Sequence, residues 1–192
     1  MGPPGIFATS PREGISRHEP MGVRRKKRSA MDWVPLSFLV LFLSLTGLGY
    51  LAVPGTASAL TIVHIPVILG GILSGPIPGM ILGGLFGLTN WWMFAPHDPM
   101  TQVLPRLLCG LVAGLVFMLA RRHGDPESQL TMGSLAASLA GSLTNTLGVA
   151  LMAVSKGQLN PQEVLGVVLF HGGPEAFLAV LVTLPITVTR FR

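Results

Sequence analysis

The sequence predicts an all-α membrane protein with six transmembrane helices and both termini cytoplasmic, and three observations carry that prediction. No Lys, Arg, Asp or Glu occurs from Trp33 to His97, nor from Ser128 to Ser155. Each gap exceeds the roughly 20 residues that cross a bilayer core. Next, 49% of the 192 residues are hydrophobic and only 11% are charged, with a mean hydropathy of +0.62. A soluble domain is nearer about a quarter charged. Finally, the few basic residues outside the N-terminal tail are placed so that they select the number of spans.

Residues 1–32 read as a disordered basic cytoplasmic tail, and 33–192 as the six-helix transmembrane domain. Seven of the 13 Lys and Arg residues lie in the first 28, five of them as Arg24-Arg25-Lys26-Lys27-Arg28. A cluster abutting a membrane span reads as an anchor at the cytoplasmic lipid surface rather than as a nucleic-acid site. The Gly/Pro/Ser-rich start has no pattern that would bury a core. No small-residue cleavage site closes the first apolar run, so a cleaved signal peptide is not expected. Met21 and Met31 are further possible starts of the chain.

Helix 1 is expected from about Trp33 to Val53, before Val53-Pro54-Gly55. The stretch 61–94 is too long for one straight span, and Gly75-Pro76-Ile77-Pro78-Gly79 divides it. Two pieces of about 15 residues would each rise only ~22 Å. Helix 4 is expected from about Val103 to Ala120, helix 5 from about Leu130 to Val154, and helix 6 from about Val164 to Val188. Charge parity supports counting two helices in 61–94. Arg121-Arg122, Arg190 and Arg192 then share the cytoplasmic side with the basic tail. Outer loops fall at about 54–60, 94–102 and 155–163. With helices 2 and 3 short, some backbone at membrane depth must be covered by protein or by a water-filled cavity.

Small residues recur four apart in Gly79, Gly83 and Gly87, in Gly110 and Gly114, and in Ser134, Ser138 and Ser142. Such rows let helix backbones touch, within the protein or against another membrane subunit. The single cysteine, Cys109, excludes an intrachain disulfide and a multi-cysteine metal site. No nucleotide-binding loop, nucleophile elbow or HExxH occurs, so the chain carries no ATPase of its own.

Polar residues inside apolar spans must face protein or water. Arg106, in Leu104-Pro105-Arg106-Leu107, reads either as a cation snorkelling to outer headgroups or as an anchor for a carboxylate, which its fork fits. Pro105 marks a helix first turn on this reading. Asn145, in Ser142-Leu143-Thr144-Asn145-Thr146, reads as a ligand contact or as glue between helices. His171 and Glu175 in His171-Gly172-Gly173-Pro174-Glu175 are spaced to share a helix face, with a kink expected between them. They brace that kink or face a substrate. His64 opens His64-Ile65-Pro66, with proline in a first turn; it would lie at the outer rim, capping the helix or touching a ligand.

Further matches run in order along the chain: Thr61-Ile62-Val63-His64-Ile65-Pro66-Val67, Gly75-Pro76 and Gly79, Phe86-Gly87-Leu88-Thr89-Asn90, Leu104-Pro105-Arg106, Gly141-Ser142-Leu143-Thr144-Asn145-Thr146, and Gly173-Pro174-Glu175-Ala176. This set resembles the substrate-binding S components of energy-coupling factor (ECF) vitamin transporters over roughly residues 33–190, and is most similar to their pantothenate-type branch. The resemblance implies the S-component fold and high-affinity capture of a small vitamin in the cell membrane. It implies partnership with a transmembrane coupling subunit and two cytoplasmic ATPase subunits, which hydrolyse ATP, with no cofactor or metal on this chain. The S component would topple in the membrane to carry its pocket inward. On this reading Arg106 neutralises a carboxylate, Asn145, His171 and Glu175 hydrogen-bond the rest of the ligand, and His64 and Asn90 shape or close the site.

Two features depart from the family pattern. Helix 1 has no small-residue pair four apart among Ser37, Ser44, Thr46, Gly47, Gly49 and Ala52, so the helix 3 glycine row is the candidate substitute for docking. Position 171 is His where a smaller polar group is expected. Other readings are an S component for folate, hydroxymethylpyrimidine, riboflavin or cobalamin, an intramembrane enzyme using His64, His171 and Glu175, and a membrane scaffold without a ligand.

Overall fold

The computed structural model describes residues 32–52, 59–94, 98–121 and 126–191. The basic tail, most of the loop expected at 54–60, residues 95–97, Arg122 and Arg192 lie outside the described residues. Six helices run up and down: α1 Trp33–Leu45, α2 His64–Ser74, α3 Pro76–Phe94, α4 Pro99–Ala120, α5 Pro126–Ser155 and α6 Pro161–Phe191. Three of them, α4, α5 and α6, are long and apolar enough to cross a membrane by length and composition. A short antiparallel ribbon, β1 Tyr50–Ala52 with β2 Ala59–Thr61, joins α1 to α2, pairing Tyr50 with Thr61. The ribbon is an addition to the all-α expectation.

Helix α1 stops eight residues before the predicted Val53 because Gly47 adopts φ +75° just past the Thr46 cap. A glycine in the left-handed region is a common helix terminator, and it turns the chain into the ribbon. The break at Gly75 falls where the sequence placed it. Its φ of +114° reverses the chain in one residue, so α2 and α3 pack as a tight antiparallel pair. The two pieces are unequal, 11 and 19 residues.

Helix α2 is the centre of the bundle. His64, Ile65, Pro66, Val67, Ile68, Leu69, Gly70, Gly71, Ile72 and Leu73 are all buried. A helix of about 16 Å can sit at membrane depth because its neighbours, rather than lipid, cover its ends. Around it, the cluster of Val40, Val67, Ile68, Ile72, Leu82, Phe86 and Phe117 fills the interior.

Burial alone does not drive helices together in lipid; close backbone approach and interhelical hydrogen bonds do. The glycine rows supply the approach. A Cβ on Gly79 would lie 2.5 Å from the Gly110 carbonyl oxygen, one on Gly87 would lie 2.6 Å from the Val103 Cα, and one on Gly114 would lie 2.6 Å from the Pro76 Cα. The helix 3 row is therefore occupied by α4 and is not free to dock a partner. The serine row supplies hydrogen bonds. Ser138 meets Thr183 of α6, and Ser142 meets His64 of α2 at 3.3 Å.

One end of the bundle carries the ribbon, Asp98 and the 155–160 turn. The other carries the start of α1 and the end of α6, tied by an ion pair of 2.8 Å between Asp32 and Arg190. At that second end, Arg121 stacks over Phe117 and Phe191.

Candidate functional site

The polar groups gather at the ribbon end, and Arg106 is their centre. Helix α4 starts four residues earlier than expected, with Asp98 accepting the Thr101 N–H at 3.2 Å and Pro99 in the first position. An aspartate cap followed by proline is a strong start signal. Pro105 therefore sits inside the helix rather than in its first turn. Lacking an N–H, it leaves the Thr101 carbonyl without its helical donor. The neighbouring guanidinium folds back to fill the gap, Arg106 Nη1 donating to the Thr101 carbonyl at 3.4 Å and to the Gln102 carbonyl at 2.6 Å. It lies 4.9 Å over the Phe86 ring.

Arg106 is only 6% exposed, so it does not snorkel to headgroups. Among the described residues no carboxylate pairs with it. Its remaining partner is Asn90, at the far end of α3. With the Asn90 amide oxygen turned toward the guanidinium, it accepts from Arg106 Nε at 3.1 Å and from Nη2, while its nitrogen donates to the Tyr50 hydroxyl at 2.9 Å. The Gln102 carboxamide lies 3.1 Å from the same amide. Asn90 and Arg106, both named from the sequence, are thus brought together.

The second half of the site is built by α2, α5 and α6. His64 opens α2 as the sequence indicated, but it is fully buried rather than at a rim, and Val63 occupies the cap position. Its Nε2 faces Ser142 and its Nδ1 lacks a well-formed hydrogen bond. Of the three polar residues in Thr144-Asn145-Thr146, Thr144 bonds back to the Ala140 carbonyl at 2.6 Å. Thr146 donates to Glu175 Oε2 at 3.1 Å, and Asn145 is 3% exposed with an unpartnered Oδ1.

The kink expected at Gly172-Gly173-Pro174 takes the form of a π turn, Val168–Gly172, inside α6. Such a turn widens the helix by one residue, accommodates proline without a break, and recurs at functional sites. It carries His171, whose two ring nitrogens are buried without a hydrogen bond. Glu175 is 5% exposed, and its Oε1 accepts the Thr61 N–H at 2.7 Å. Glu175 therefore bonds the ribbon and α5 rather than His171. Among the described residues no group of three His, Cys, Asp or Glu could hold a metal ion.

Tyr50, Gln102 and Thr146 belong to the site and were not singled out from the sequence. Gln102 carried a usable signal, lying four residues before Arg106 on a helix. Tyr50 carried none, since only the ribbon brings it to Asn90.

The architecture contains a cation that forms no ion pair among the described residues, ringed by Asn90, Gln102 and Tyr50. Facing groups on α2, α5 and α6 include three residues with unsatisfied polar atoms, His64, Asn145 and His171. Unpaired buried polar groups are costly, and a small ligand bearing an anion and hydrogen-bonding groups would satisfy both halves.

Comparison with known proteins bears on which ligand that is. The family model for the ECF transporter, substrate-specific component, matches residues 35–187. A pantothenate transporter, PanT, from Leuconostoc mesenteroides is 33% identical over 107 residues. That match covers 49% of this chain and 50% of the relative, so the chain spans about half the length of the relative it matches.

Proposed function

This chain belongs to the family of substrate-specific components of ECF transporters, and from that premise we propose that it captures pantothenate, or a closely similar small anionic vitamin, for uptake. It is a membrane-protein transporter component and not an enzyme, and family membership implies a vitamin substrate and partnership with other ECF components. A transmembrane coupling subunit and two ATPase subunits would complete the transporter, the ATP being hydrolysed there. We place the ribbon end outside and both termini inside a cell membrane crossed several times. The basic cluster at residues 24–28 and Arg121, Arg122, Arg190 and Arg192 then share the inner side. Lys156, at the ribbon end, is paired with Asp98.

The observation that carries the ligand assignment is the state of Arg106. A guanidinium 6% exposed, held only by carbonyls, an amide and a ring, has no anionic partner among the described residues. A bound carboxylate would supply it bidentately. Asn145 and His171 then offer an acceptor and two ring nitrogens to hydroxyl or amide groups of the ligand, with His64 and Asn90 shaping the site. Pantothenate has one carboxylate, one amide and two hydroxyls, which suits this set.

Equilibrium binding to ligand-stripped protein tests the reading. Wild type should bind pantothenate saturably and far more tightly than pantothenol, in which the carboxylate is replaced by an alcohol. Arg106→Ala should abolish most of that preference. Saturable binding of a neutral vitamin alone, or no binding of any vitamin, would refute it.

A further inference from the structure

Both oxygens of the Glu175 carboxylate are committed within the protein. Oε1 accepts the backbone N–H of Thr61 at 2.7 Å, and Oε2 accepts the Thr146 hydroxyl at 3.1 Å. Thr61 ends β2 and is the cross-strand partner of Tyr50 in β1. On its other side the same rung is tied to α3, because the Tyr50 hydroxyl meets the Asn90 amide. Asn90 in turn abuts the Arg106 guanidinium. One rung of the ribbon thus spans the site, fixed at Tyr50 beside the cation and at Thr61 by the buried carboxyl group.

A neutral carboxamide or hydroxyl would satisfy a lone strand-end N–H. A carboxyl group differs in offering two acceptor oxygens, so one side chain can hold the Thr61 N–H and the Thr146 hydroxyl at once. The junction also links elements far apart in sequence, since this one side chain on α6 bonds the ribbon through one oxygen and α5 through the other.

We propose that Glu175 is a positioning residue, which clamps the Tyr50–Thr61 rung to α5 and α6 and so sets how fast ligand enters and leaves the Arg106 site without itself touching ligand. This rests on reading the surroundings of Arg106 as the ligand site.

The clamp can be tested before any ligand is added. In ligand-free protein, Glu175→Ala should speed hydrogen–deuterium exchange at the Thr61 amide by about 3- to 10-fold, the effect of losing one hydrogen bond. Glu175→Gln, whose oxygen can still accept from Thr61, should recover most of the protection. With pantothenate as the probe, stopped-flow rates for Glu175→Ala should rise together for association and dissociation, so that Kd moves much less than either. Unchanged exchange at Thr61 would overturn the proposal. So would a rise in dissociation alone, matched by a Kd loss that depends on which ligand hydroxyl is present, since that is the signature of direct contact. If Glu175→Ala does not fold, Thr146→Val releases Oε2 only and should give a smaller rise in Thr61 exchange; no rise there would also overturn it. Failure of wild type to bind pantothenate would refute the ligand assignment, while Thr61 exchange would still decide the clamp.

Discussion

A Cβ placed on Gly83 would overlap the carbonyl oxygen of Arg106, so the backbones of α3 and α4 touch at the residue that carries the site's cation. The same Cβ would lie 2.9 Å from the Leu107 Cα, and neither obstacle is a flexible side chain. Gly83→Ala should therefore force the helices apart, destabilising the protein by about 1–3 kcal/mol and weakening ligand binding by displacing Arg106. Gly84 is the control, because a Cβ there meets nothing within 4 Å. Gly84→Ala should be neutral or stabilise by up to about 1 kcal/mol, since alanine is the better helix former. Thermal melts of the two variants check the contrast, and equal behaviour would contradict the packing described.

Tyr50 reaches the site only through its hydroxyl, 2.9 Å from Asn90. Tyr50→Phe keeps the ring and its edge contact with Phe94, whose centroid is 4.8 Å away. Affinity for pantothenate should fall about 3- to 10-fold, the worth of one hydrogen bond, with little change in melting temperature. A large loss of stability with unchanged affinity would place Tyr50 outside the site.

His64 and Ser142 are both fully buried and face each other at 3.3 Å. A double-mutant cycle with His64→Ala and Ser142→Ala should give a coupling energy of about 0.5–1.5 kcal/mol in stability without ligand. Coupling near zero, together with coupling of His64 to ligand affinity, would assign the imidazole to the ligand instead.

Asp98 caps α4 and pairs with Lys156 across two loops at the ribbon end. The Lys156 ammonium, and after it the contacts with Thr101, hold its carboxyl below the usual 3.8, at about 2. A depressed folded-state value means that its stabilisation is complete above the unfolded value and is lost as pH falls toward 2. Melting temperature should thus drop between about pH 4 and pH 2 more steeply in wild type than in Lys156→Ala. The difference should shrink at high salt, because the pair is partly exposed and screened. Identical pH profiles for the two proteins would show that the pair contributes nothing.

Much of the fold was legible in the residues because membrane insertion writes itself into composition. The charge-free runs, the break at Gly75-Pro76 and the start of α2 at His64 follow from local rules of solvation and backbone geometry. Three boundaries were misplaced although their signals were present. Gly47 ends α1, Asp98-Pro99 starts α4, and Pro126 starts α5, each by a local cap or proline preference that apolar continuity masked. The fate of Pro105 was not legible, since its effect depends on Arg106 turning back onto the carbonyl that the proline leaves free.

The site divides in the same way. Arg106, Asn90, Asn145, His64, His171 and Glu175 were recognisable as groups that lipid would not tolerate, and all lie at one end of the bundle. What each one touches was decided by tertiary structure. The Thr61 amide is 114 residues from Glu175, the Ser142 hydroxyl is 78 from His64, and the Tyr50 hydroxyl is 40 from Asn90. By itself the sequence determined that this chain is a bundle of membrane helices with a few buried polar groups, because hydropathy and charge act residue by residue. Only the packed structure decided that Arg106 forms no ion pair among the described residues and that Glu175 is already engaged, because pairing depends on which distant backbones the glycine rows allow to meet.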